Sequence, residues 1–141
     1  MAGLQSILDE LLARTGASRV TLRRDVPGEY AFPVTDEALA EGVASLRAER
    51  TVDLRTQPVV LELQRGRQVV QDDSRAAYDD PAYQRMLETY GGLAAQIVTP
   101  VLVEGRIAAI VSLHQLGAPR RWTESEIEAC RTAAARVAEL L

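Results

Sequence analysis

The chain has 141 residues and a mass of 15.4 kDa, the length of one domain, and a domain of this size buries enough surface to be stable without disulfides or a structural metal. Hydrophobic residues at 47% and charged residues at 26% exclude a disordered or collagen-like chain, and a net charge of −4 leaves no broad positive field for a nucleic-acid partner. All 16 basic residues are arginine, so every chemistry that needs a lysine is closed, from Schiff bases to phosphate-binding loops of the P-loop type.

Leu4, Ile7, Leu8, Leu11 and Leu12 recur at helical spacing and predict an amphipathic helix over residues 4–15, stopped by Gly16. This amino terminus carries acids where a secretion signal has a basic region, and no later apolar run reaches the roughly 20 residues of a membrane span. The expected setting is the cytoplasm, with no membrane partner, and the arginine and alanine bias points to a bacterial genome. Val20 and Leu22 then alternate in a strand over 19–24, and EYAFPV at 29–34 is the expected partner strand across a turn at Pro27 and Gly28.

Leu39, Val43 and Leu46 predict a helix over 36–50, weakened by Gly42. Pro58 suits the first turn of a short helix that ends at Gly66, and an extended RQVVQ follows. Residues 72–82 are polar and turn-rich, and Tyr83 to Tyr90 read as a short helix closed by Gly91 and Gly92.

The runs 93–103 and 106–115 are apolar at nearly every position and are joined by Glu104 and Gly105, the pattern of a hairpin of two central strands. Pro100 donates no ladder hydrogen bond, so a bulge or an unpaired position is expected there. Thr123 followed by Glu126 is a capping-box pattern for a last helix striped by Ile127, Cys130, Ala134, Val137 and Leu141. Helices at both ends of a mostly antiparallel sheet make the fold class α+β. The whole chain, 1–141, reads as one domain.

Cys130 and His114 are the sole members of their types, which excludes disulfides, cysteine-built clusters and a multi-histidine metal site within one subunit. No metal is expected. Asp72, Asp73, Asp79 and Asp80 lack the alternating spacing and loop glycine of a calcium hand.

The order of elements and the local text resemble a GAF domain, the small-ligand sensing module also found in phytochromes and cyclic-nucleotide-regulated phosphodiesterases. The match is carried by VVQDD at 69–73, DDPAY at 79–83 and above all VTPVLVEGRIAAIVSLHQLGAPRRWTESEIE at 98–128. Pro100, Gly105, Trp122, Thr123 and Glu126 stand at the family's strand proline, turn glycine and Trp-Thr-x-x-Glu helix start, while Ala109 replaces its usual strand glycine. The resemblance implies a central antiparallel sheet of five or six strands. It places the terminal helices on one face and a ligand cavity on the other, under the 72–92 segment, and it implies a homodimer through those helices.

Period-two geometry puts Ala108, Ile110, Ser112 and His114 on one face of the 106–115 strand and Ile107, Ala109, Val111 and Leu113 on the other. The second set is apolar and suits the terminal helices, so the first faces the expected cavity. The segment is also similar to the strand of phytochrome GAF domains whose histidine borders the bilin, with His114 at that place and Ser112 beside it. A histidine bonded to a loop at the strand end is the plainer alternative. Gln96 shares a face with Val98 and Pro100, and its buried amide finds its partners either in a ligand or at a solvated strand end.

Tyr78, Tyr83, Met86 and Tyr90 cluster in the lid, where tyrosines suit a small-molecule cavity and Met86 packs. Asp79 or Asp80 is expected to cap the lid helix. Asp72 or Asp73 near His114 would orient the ring and raise its pKa. Cys130, on the inward stripe of the last helix, reads as a small buried hydrophobe.

The expected function is a stand-alone sensor or accessory regulatory protein binding a small organic ligand at Ser112, His114, Gln96, Val98, Tyr78, Tyr83, Tyr90, Asp72 and Asp73. No cofactor is expected, and non-covalent haem or another chromophore is the alternative left open. Covalent bilin attachment is excluded because the loops lack a cysteine. Members of the family that reduce free methionine sulfoxide use several cavity cysteines, so that activity is not expected either. The competing reading is a small cofactor-free enzyme, with His114 as acid or base, Asp72 or Asp73 as its orienter and a lid tyrosine stabilising an oxyanion. A pure interaction module built on the terminal helices is the third.

Overall fold

The computed structural model describes residues 3–26 and 32–141. Helix α1, Leu4–Thr15, buries Ile7, Leu8 and Leu11 along one side, and Gly16 ends it at φ 64°, its N–H donating to the Leu12 carbonyl at 2.8 Å. Strand β1 is Arg19–Arg24, and its partner is β2, Val34–Leu39, paired antiparallel from Arg19 opposite Leu39 to Leu22 opposite Asp36. The expected turn at 27–28 and residues 29–31 of the expected strand lie outside the described residues.

The helix expected over 36–50 does not form. Its first four residues belong to β2, whose backbone satisfies the free edge of β1, and the chain beyond turns at Gly42 with φ 80°. Buried Glu37 holds that turn, accepting the Leu46 N–H at 3.1 Å. Local apolar spacing of helical period was overridden by sheet pairing.

Helix α2 is Pro58–Gln64, with Pro58 in its first turn, and strand β3 is the short Val69–Gln71. Helix α3, Pro81–Thr89, starts two residues earlier than the sequence suggests, because Asp80 accepts from the Ala82 and Tyr83 N–H groups and Pro81 sits at its first position. Strands β4, Leu93–Val103, and β5, Arg106–Leu116, form the expected hairpin. Its turn has positive φ at both central residues, 53° at Glu104 and 77° at Gly105. Pro100 keeps its place opposite Ile110, and the register slips one residue later, between Val101 and Leu102. Helix α4, Glu124–Leu140, carries the complete capping box of Thr123 and Glu126.

The five strands form one antiparallel sheet in the order β2-β1-β5-β4-β3. Helices α1 and α4 cover one face over a core that includes Val20, Leu22, Ile97, Val111, Leu113, Trp122 and Cys130. The other face is covered by α2, α3 and the loops before α2, over Val59, Leu63, Tyr83, Met86, Val98 and Ile110. Ile107 joins this second cluster, against the simple alternation, because the slip at Val101 and Leu102 shifts the end of the hairpin. Among the described residues no helix is long and apolar enough to cross a membrane.

Candidate functional site

Strand alternation that sends Val20 and Leu22 to the α1–α4 core sends Arg19, Thr21 and Arg23 to the opposite face. Antiparallel pairing then lines polar residues up across the sheet. Arg19, His114, Gln96 and Gln71 form one row over β1, β5, β4 and β3, and Thr21, Ser112, Val98 and Val69 form the next. Both rows lie beneath α2 and α3, so the groups are cut off from water: Arg19 is 1% exposed and His114 3%.

Burial forces each polar group to find a partner. Arg19 donates from Nε to His114 Nδ1 at 3.1 Å, from Nη1 to the Ala44 carbonyl at 3.1 Å and from Nη2 to the Tyr90 carbonyl at 2.7 Å. Its pKa is lowered to about 10, chiefly by desolvation, and it stays a cation at neutral pH. An Nδ1 that accepts a hydrogen bond carries no proton, so His114 is the neutral tautomer with its proton on Nε2. Desolvation first, then the positive fields of Arg19 and Arg23, keep its pKa well below the ordinary 6.5. The Tyr90 ring stacks on the imidazole, centroids 6.0 Å apart.

Arg23 donates to the Phe32 carbonyl at 3.0 Å and to Tyr90 Oη at 2.8 Å, its guanidinium carbon 5.7 Å from the Tyr90 ring centre. Further along the first row Gln96 Nε2 donates to Gln71 Oε1 at 3.0 Å. Tyr83 Oη lies 3.0 Å from the same oxygen and donates to the Ser74 carbonyl at 2.8 Å. Burial pushes the Tyr83 phenol up to about 12.

Between this face and the helices lies a cavity of about 40 Å³. Its polar wall is Arg23, Gln57, Tyr90, Gln96, Ser112 and His114, and its apolar wall includes Leu54, Val59, Leu63, Met86, Val98 and Ile110. That volume holds a few ordered waters and falls far below the roughly 300–1,000 Å³ of ligand pockets. A larger groove of about 630 Å³ opens to solvent between Arg67, Gln68, Leu102 and the Arg131 to Ala138 side of α4, away from the buried polar rows.

Of the residues picked from sequence, Ser112, His114, Gln96, Val98 and Tyr90 line the cavity together. Tyr83 does not: it is fully buried and bonded to Gln71 and Ser74, with Tyr78 packed edge-on at 5.0 Å. Asp72 and Asp73 stand elsewhere. Asp72 Oδ1 accepts the Trp122 N–H at 3.2 Å and its carbonyl accepts the Arg120 N–H at 3.0 Å, while Asp73 precedes the turn Ser74–Ala76. The expected Asp–His pair is therefore corrected, since a guanidinium occupies the imidazole nitrogen where a carboxylate would sit, and the ring's pKa moves down instead of up. The residues missed are Arg19, Arg23 and Gln57. Val20 and Leu22 give β1 one apolar side, and nothing in so short a strand tells a buried polar side from a solvated one.

Among the described residues no group of three His, Cys, Asp or Glu side chains could hold a metal ion. Cys130 lies across the sheet in the other core, its thiol pushed up to about 12 by burial.

A family model described as GAF domain matches residues 2–141. No curated protein matches the sequence. Among solved structures, the chain superposes on the cyanobacteriochrome TePixJ GAF domain with a TM-score of 0.78 at 18% identity, covering 98% of this chain and 89% of that one. The photoproduct state of GAF3 from Slr1393 of Synechocystis sp. PCC6803 matches with a TM-score of 0.73 at 19% identity, covering 97% and 92%. The far-red absorbing dark state of JSC1_58120g3 with bound biliverdin IXa matches with a TM-score of 0.75 at 17% identity, covering 99% and 89%.

These likenesses establish a shared fold, and they correct the expectation of a site without a cofactor, because that fold carries a chromophore in the relative with bound biliverdin IXa. The residues of this chain do not fit a tetrapyrrole in the present arrangement. The cavity of about 40 Å³ is an order of magnitude too small, and the one cysteine is on the far side of the sheet.

Proposed function

The chain belongs to the GAF domain family, and from that membership we propose that it is a sensor module that encloses a small organic ligand between the sheet and helices α2 and α3. The observation that carries this reading is the buried, mixed polar and apolar wall around the cavity, with Ser112, His114, Gln96 and Val98 on the sheet side and Met86 and Tyr90 on the lid side. A face that only had to pack would be apolar, since each buried polar group needs a partner it could otherwise find in water. Here one strand row and half of a second are polar.

A cytoplasmic homodimer joined along α1 and α4 is part of the same proposal. These helices pack side by side, tied by Arg136 to Glu10 at 2.7 Å and by Arg14 to Ser125 at 3.2 Å. Acid–base catalysis draws less support, because the single imidazole is held neutral and bonded to Arg19.

A thermal-shift screen of the purified protein against a metabolite library tests the reading. The expected result is a dose-dependent rise in Tm with one compound class. A transition that no compound moves would count against it.

A further inference from the structure

Among the described residues, buried charge on this face does not balance. Arg19 and Arg23 both bring guanidinium groups under the lid, and His114 adds none because it is neutral. Among the described residues one buried carboxylate lies nearby, that of Glu37, whose field reaches Arg19. It is already engaged by Ser45 Oγ and the Leu46 N–H, with Arg47 at 3.6 Å. Arg23 takes part in none of the ion pairs of the described residues, and its protein contacts are a carbonyl, a phenol oxygen and a ring face. A guanidinium has five N–H donors, and two of those on Arg23 are used by these bonds.

Two further buried groups on this side of the sheet lack partners. Thr21 Oγ1, 1% exposed on β1 between the two arginines, has no hydrogen-bond partner, and neither has buried Gln57 Oε1 on the opposite wall of the cavity. Ser112 lines the cavity directly across the strand pair from Thr21. The free N–H groups of Arg23, the Ser112 hydroxyl and the unfilled Gln57 acceptor thus line a space whose other walls are Tyr90, Gln96, His114 and apolar side chains, with Thr21 paired to Ser112 outside that lining.

We propose that the ligand is a compact organic monoanion, its carboxylate held by Arg23 with the hydroxyl of Ser112, and its apolar body against Val59, Leu63 and Ile110. One negative charge supplies the counterion that Arg23 lacks among the described residues. Gln57 Oε1 accepts from a hydroxyl or amino group on the ligand, which favours substituted carboxylates over plain ones. The small volume favours short ones. This inference rests on the sensor reading above and goes further by fixing the charge and size of what is sensed.

The test is calorimetric titration of the whole protein with acetate, butyrate, lactate and benzoate, each beside its neutral amide, and with biliverdin. Wild type is compared with Arg23→Met. The expected result is that at least one carboxylate binds wild type about tenfold or more tightly than its amide, and that Arg23→Met loses this preference while still unfolding cooperatively. Should Arg23→Met fail to fold, Arg23→Gln is read in its place. Equal affinity for acid and amide, or a preference that survives the substitution, overturns the proposal. Binding of amides or biliverdin alone overturns it too but leaves the sensor reading standing, whereas no binding by any probe removes both.

Discussion

His114 keeps its proton on Nε2 because Arg19 Nε occupies Nδ1, and burial, with the charges of Arg19 and Arg23 beside it, makes the ring a stability switch. In the unfolded chain the imidazole takes up a proton as pH falls through about 6.5, while the folded protein resists until well below that value. The unfolded state therefore binds more protons below 6.5, so stability is full above that pH and declines beneath it, by up to about 1.4 kcal/mol per pH unit. Urea denaturation between neutral pH and the onset of carboxylate protonation should show this slope. His114→Gln, whose amide oxygen can still accept from Arg19, should flatten it, since the chain has 1 histidine. The shared face of His114 and Ser112 was legible from strand alternation, and the cavity it meets from the resemblance to GAF domains. What that alternation could not convey was the neighbour, for Arg19 sits 95 positions away and meets the ring only through β1–β5 pairing.

Among the elements, those with their own capping or turn chemistry were readable and those defined by pairing were not. The β4–β5 hairpin follows from Glu104 and Gly105, and α4 from Thr123 and Glu126, because each signal lies within a few residues of the structure it sets. Thr123→Ala should cost about 0.5–2 kcal/mol, seen as a lower denaturation midpoint with an unchanged m-value. Strand β2 had no such marker, and its apolar spacing mimicked a helix until β1 claimed it. Another element-level link runs from the site to α4. Gln96 bonds to Gln71, the Gln71 carbonyl accepts from Trp122 Nε1 at 3.0 Å, and Trp122 precedes the α4 cap. Trp122→Phe leaves that buried carbonyl without its donor and should destabilise the protein by about 1–3 kcal/mol. If α4 reports on the site, the same substitution should also reduce any ligand-dependent protection of α4 amides in hydrogen exchange.

At the scale of the whole molecule, the sheet separates two cores of different character. The α1–α4 side is mainly apolar, with Thr15 and Thr99 among its buried polar side chains, whereas the α2–α3 side buries arginine, histidine, glutamine and tyrosine around a small hollow. Light scattering at micromolar concentration should return twice the chain mass if the proposed dimer forms, and a monomer would remove that part of the account. The central claim is that the hollow under α2 and α3 receives a small molecule, and Ser112→Phe closes it with one side chain at an overpacking cost of about 1–3 kcal/mol. Native mass spectrometry of the two proteins, purified alike from bacterial cells, is the most direct measurement. A bound small-molecule mass on wild type that disappears in Ser112→Phe is the predicted result. The same mass on both proteins, or none on either, would contradict it.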